Sequence, residues 1–160
     1  MKFLGKIRDT ADEQDAYTRR DSLIFSGETV PEGEDCVKIV RKIVREDLKL
    51  NIDPLISTAH RLGKPPASNN TPDKRDIIAR FCQRDTKFRV HEAARKAKVK
   101  GLYVNESLTP TRRTIQFALR KIKNQHGSLV RGITTHNGCI FVFTNRRTIL
   151  PKMLVALGPK

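Results

Sequence analysis

Apolar positions along the 160-residue chain change spacing several times, and each change predicts an element. "SLIFSG" (22–27), a short apolar run ended by Gly, predicts a strand. The turn-rich acidic "VPEGED" (30–35) leads into a region where Val37, Val40, Ile43, Val44 and Leu48 share one helical face. Lys38, Arg41, Lys42 and Arg45 take much of the remaining surface, so residues 36–50 form the clearest amphipathic helix. "ISTAHRLG" (56–63) predicts a second strand and "KPPASNNTPD" (64–73) an exposed loop. "RDIIARFC" (75–82) predicts a third strand with a buried centre. Asp85 is placed to cap a helix over 86–99, with Phe88, Ala94 and Ala97 inward. "GLYVNESL" (101–108) predicts a fourth strand. The β-α-β-β-α-β order is that of the split βαβ unit, an α+β arrangement. Two helices cover one face of a four-stranded antiparallel sheet and leave the other face for a ligand.

A second, smaller unit follows. Thr109 suits an N-cap, Pro110 the first helical turn and Gly127 a helix stop. Between them Ile115, Ala118, Leu119 and Ile122 make a narrow apolar stripe. "LVRGITTHNGCIFVF" (129–143) predicts two strands joined at Asn137-Gly138, a strong hairpin signal. The helix and hairpin hold too few apolar residues to fold well alone, so they are expected to lean on the first unit. "ILPKMLVAL" in the basic tail predicts a short terminal helix. At the other end Leu4, Ile7, Ala11 and Gln14 follow 3-and-4 spacing, which fits a coiled-coil stub over 1–18 or a frayed surface helix. The expected boundaries are 1–18, 19–108 and 109–160.

Charge changes the picture more than composition does. Hydrophobic residues make up 38 % and charged residues 31 %, enough for a core with long polar connections. The net charge is +15, and it is unevenly spread. Residues 1–36 hold 5 basic and 9 acidic residues, whereas residues 107–160 hold ten Lys or Arg and no Asp or Glu. Self-repulsion on this scale costs stability, so a polyanion is the expected partner, nucleic acid before an anionic membrane. No apolar run approaches membrane-spanning or signal-peptide length, so an intracellular protein without a membrane partner is expected.

Catalytic and metal chemistry find little support. No G-x-S-x-G, H-E-x-x-H or P-loop occurs, and His60, His91, His126 and His136 share no ligand spacing. These histidines are expected to be polar surface or turn residues. Cys36, Cys82 and Cys139 are distant in sequence and odd in number, and are expected to be small buried hydrophobes rather than a disulfide framework. The expectation is no enzyme, no catalytic residue, no metal and no cofactor.

Binding is better served. The third strand lacks the Gly and aromatic consensus of base-stacking sheets. Phe25 and Phe81 are expected in the core, and Tyr103 lies on the fourth strand. Guanidinium contacts to phosphate are then the stronger expectation. The candidates are Arg19 and Arg20 before the first strand, Arg61 and Lys64 closing the second, and Lys74, Arg75 and Arg80 about the third. Arg112, Arg113, Arg120 and Lys121 follow on the later helix, and Arg131 opens the hairpin. They are expected to line one cleft between the two units. Lys38, Arg41, Lys42 and Arg45 are expected to be a solvated face behind the sheet.

"YTRRDSLIFSG", "AHRLGKP", "KRDIIARF", "LYVNESLTPTRR" and "VRGITTHNGCIFVF", in this order, resemble the first-open-reading-frame protein of LINE-type non-LTR retrotransposons and the related baculoviral few-polyhedra protein. The resemblance covers about Tyr17 to Phe143. It implies a noncanonical RNA-recognition-motif domain followed by a small C-terminal domain, with single-stranded RNA, and single-stranded DNA, held between them. It further implies nucleic-acid chaperone activity, packaging of the element's transcript into ribonucleoprotein during transposition, and an upstream coiled coil that makes a homotrimer. Cytoplasmic ribonucleoprotein particles are the implied location, with the nucleus as the alternative. The RNA-binding positions it implies fall on Arg20, Arg75, Arg80, Arg112, Arg113 and Arg131. Mammalian members carry Asn and Arg in the first strand where this chain has Ser22 and Ile24. The alternative is an interaction module of the same fold, viral or host, that works through a protein partner.

Overall fold

The computed structural model describes residues 2–27, 35–64, 74–125, 130–144 and 148–149, with residues 2–8 and 148–149 as backbone only. Most of the acidic turn at 30–35, the Pro-rich loop over 65–73, His126, Gly127 and the tail after Ile149 lie outside the described residues. The chain divides into two compact units, Asp21–Ser107 and the paired segments Met1–Arg20 and Leu108–Lys160.

The Asp21–Ser107 unit is α+β. Its strands are β1 (Ser22–Ser26), β2 (Ile56–Arg61), β3 (Ile77–Phe81) and β4 (Tyr103–Glu106), and they form an antiparallel sheet in the order β2-β3-β1-β4. The helices are α2 (Cys36–Lys42) and α3 (Arg84–Ala97). Strand alternation sends Leu23 and Phe25 of β1 and Ile77, Ala79 and Phe81 of β3 to one face. There they meet Ile39, Val40, Ile43, Val44 and Leu48, together with Val90 of α3, in one core.

Asp35 starts α2 by accepting a hydrogen bond from the Val37 N–H (2.9 Å). The expected helix over 36–50 is regular only to Lys42, then widens into a π-helical turn over Ile43–Asp47. The Leu48 N–H reaches back five residues to the Ile43 carbonyl (3.0 Å), and Ile43, Val44 and Leu48 are all buried.

The phase of α3 differs from expectation. Its buried residues are Lys87, Val90 and His91, whereas Phe88 is half-buried and Ala97 exposed. Gln83, not Asp85, holds the N-cap position, and its side chain makes no capping bond. The rotation follows from an ion pair: Lys87 Nζ donates to Glu106 Oε1, and both side chains are buried. His91 is therefore an inner-face residue and not the surface residue expected. Nor are the cysteines fully buried: Cys82 is exposed, and Cys36 and Cys139 are half-buried.

The other unit contains α1 (Lys2–Arg19), α4 (Pro110–Gln125) and the sheet β5 (Val130–His136), β6 (Cys139–Thr144), β7 (Thr148–Ile149) in that order. Asn137 and Gly138 both have positive φ (52° and 74°), the geometry that a two-residue hairpin with right-handed strand twist requires. β7 was not expected, and it places Ile149, the first residue of the predicted terminal helix, in a strand paired with Val142. The shortage of apolar residues in the helix and hairpin is met in part by α1. Ala16 is buried, as are Leu108, Val130, Ile140 and Val142.

Candidate nucleic-acid interface

The sheet face opposite the core of the Asp21–Ser107 unit is built by register. His60, Ile78, Ile24 and Asn105 form one row across the four strands, and Thr58, Arg80 and Ser22 form the next. Tyr103, paired with Ser26, stands on the same face and is 64 % exposed. Phe25 and Phe81 face the core, as expected, so Tyr103 is the exposed aromatic here. Arg80 is exposed and points away from the buried Phe81 beside it.

The predicted basic residues divide into two groups. In the first, the cation is engaged within the protein. Arg19 Nε donates to Asp15 (2.7 Å), one helical turn back. Arg20 follows the last turn of α1 and lays its guanidinium over the Tyr17 ring, 3.3 Å from the centroid. Arg61 pairs with Ile77, so it falls on the core side of the sheet, and its Nη1 donates to the Arg75 carbonyl (2.7 Å). Arg75 Nη1 in turn donates to the Gly63 carbonyl (2.9 Å). The two arginines thus latch the ends of β2 and β3 together, a structural role beside the phosphate contact that the sequence predicts for them.

Arg112 is the most heavily engaged. Its Nε donates to Asp12 Oδ2 (2.8 Å) and its Nη1 to the Gly138 carbonyl in the hairpin turn (3.1 Å). Asp12 Oδ1 also accepts from the Thr109 hydroxyl (2.6 Å), which itself accepts from the Arg112 N–H (3.2 Å) as the N-cap of α4. Arg112 and Asp12 are about one-fifth exposed (20 % and 21 %). One guanidinium therefore ties α1, the start of α4 and the β5–β6 turn together.

In the second group are Lys64, Lys74, Arg80, Arg113, Arg120, Lys121 and Arg131. All seven are exposed, and their side chains make no ion pair or hydrogen bond among the described residues. Lys64 and Lys74 flank the Pro-rich loop. Arg113, Arg120 and Lys121 lie on α4, and Arg131 on β5. On the helix face behind the sheet, by contrast, Arg41 and Arg45 both lie near Asp53 (3.4 and 3.3 Å), so that face mixes signs. α3 does the same through Glu92 and Lys96, whose hydrogen bond and charge hold the Glu92 carboxyl below its ordinary range.

The Met1–Arg20 and Leu108–Lys160 segments together carry 15 basic and 4 acidic residues (net +11), against 17 and 13 (net +4) for Asp21–Ser107. Among the described residues no group of three His, Cys, Asp or Glu could hold a metal ion, and no helix is long and apolar enough to cross a membrane. Sequence reasoning missed Asp12, whose partners are 97 and 100 residues away, and Lys87. It also missed Tyr17, although a Tyr three residues before an Arg at a helix end is a readable signal. No protein-family model matches the chain, and no curated protein matches it.

Proposed function

We propose that this chain is a non-enzymatic, sequence-tolerant binder of single-stranded RNA and DNA, acting as a chaperone and packaging protein for the transcript of a LINE-type retrotransposon. The observation that carries the reading is the cation set Arg113, Arg120, Lys121 and Arg131. All four are exposed and unpaired among the described residues, in a stretch of sequence without acidic residues. The strand order β2-β3-β1-β4, with α2 and α3 against one face, supports a noncanonical RNA-recognition motif in the first unit. One exposed Tyr and one exposed Arg on the opposite face favour phosphate contacts over a multi-aromatic stacking platform.

Neutralising about seven phosphates gives a log–log salt slope near −5 for a single strand, so affinity should fall about a thousandfold between 50 and 200 mM salt. Fluorescence anisotropy of a labelled single-stranded RNA measures this directly. Arg113→Ala with Arg120→Ala should make the slope shallower by about 1.4. Affinity that barely changes with salt, or a slope indifferent to the double substitution, would point to a protein partner instead.

A further inference from the structure

We propose that Phe117 is a nucleobase-stacking residue, set between two phosphate-contacting arginines on the outer face of α4. The inference rests on the single-strand reading above and adds a contact to the bases themselves. Phe117 is 73 % exposed, the most exposed of the large hydrophobic side chains among the described residues. Its exposure follows from helix geometry. The half-buried positions of α4 are Arg112, Ile115, Gln116, Leu119 and Lys123, and Phe117 lies about 160° around the helix from its two apolar members, Ile115 and Leu119.

What surrounds Phe117 indicates the ligand. Arg113 precedes it by four residues, and Arg120 and Lys121 follow by three and four, the spacings that share a helix face. All three cations are exposed. Arg113 and Arg120 are seven residues apart, about 10 Å along the axis, with the ring between them. A strand lying along the helix can then place a base on the ring and its flanking phosphates on the guanidiniums. Ile122, the other exposed large hydrophobic residue of α4, lies about 140° from Phe117 with the small Ala118 the only exposed apolar residue between them, so they make no broad apolar patch of the kind a protein partner would bury. Base–aromatic stacking is tolerant of sequence because every base has a π face. It also requires the base to be unpaired, so this site selects single strands over duplex.

The test uses the full chain with three probes: a single-stranded oligonucleotide, an abasic phosphodiester strand of equal length, and a duplex. The protein has no Trp, so Phe117→Trp places the sole indole at the site. Its emission should be quenched by the oligonucleotide and not by the abasic strand. Phe117→Ala should weaken the base-bearing strand about 5- to 150-fold, the range for one lost stack, and leave abasic affinity and the salt slope unchanged. Equal loss on both strands, loss on neither, or unquenched Trp in the bound complex overturns the proposal. So does a Phe117→Ala protein that loses self-association in sedimentation while keeping its oligonucleotide affinity. A wild type that binds neither strand sinks the single-strand reading itself, whereas tight and equal binding of base-bearing and abasic strands sinks the stacking site alone.

Discussion

Lys87 and Glu106 give up nearly all of their solvent in the fold, with side-chain exposures of 1 % and 2 %. Two charges buried this deeply are tolerable only because each neutralises the other. Continuum physics and substitution data agree that such a pair adds little net stability, while leaving one member alone is expensive. Lys87→Met should therefore lower the free energy of urea unfolding by about 3–5 kcal/mol. Adding Glu106→Leu should restore most of that loss, since the charge left without a partner is then gone as well. A double variant as unstable as the single one would show that the two side chains matter for shape rather than charge. The pair also explains why the last acidic residue of the chain does nothing to offset the basic region after it: Glu106 is consumed inside the first unit, between α3 and β4.

At the scale of elements, what is legible in the sequence is what local physics decides. The Asn137-Gly138 turn is readable because two successive positive φ angles admit few residues. The apolar face that runs from α2 through Leu48 is readable because Val40, Ile43, Val44 and Leu48 repeat at helical spacing, although the π-helical turn over Ile43–Asp47 is not. The phase of α3 escapes because hydrophobicity alone sends Phe88 inward, while the pairing of Lys87 with a residue 19 positions later sends Lys87 there instead. The basic stretches of the candidate interface are readable as stretches. Which cations are spent internally is not, since Arg61, Arg75 and Arg112 are engaged by backbone carbonyls or distant acids. Glycines show the same division between local and tertiary causes. Gly27 and Gly63 both have positive φ (101° and 85°). A Cβ on Gly63 would meet open space, whereas one on Gly27 would collide with the Gly101 carbonyl oxygen. Gly63→Ala should cost about 1–2 kcal/mol, the left-handed penalty alone. Gly27→Ala should cost clearly more, because the backbone of the 99–101 turn must also move. Thermal melts of the two variants compare them, and equal midpoints would mean that the 99–101 turn yields without cost.

For the whole molecule, the imbalance in charge between the two units sets how its arginines should be tested. The unit with net +11 is also the one whose segments, α1 and the region after Leu108, are far apart in sequence, and Arg112 is a principal tie between them. Arg112 and Arg113 are adjacent and alike in sequence, yet the first is held by Asp12 and the Gly138 carbonyl while the second is exposed. Substituting both together would confound folding with binding. Arg112→Ala should destabilise its unit by about 1.5–3 kcal/mol, the usual loss for hydrogen bonds to a charged group. Arg112→Lys should not rescue it, because one ammonium lacks the fork that reaches both acceptors. Amide hydrogen exchange should then quicken in α1, α4 and β5–β6 and stay unchanged in β1–β4. Arg113→Ala should leave stability within about 0.5 kcal/mol and remove one phosphate contact, making the salt slope shallower by about 0.7. If instead Arg112→Ala kept full exchange protection and flattened the salt slope, Arg112 would be a direct contact, with Asp12 the partner it leaves on binding.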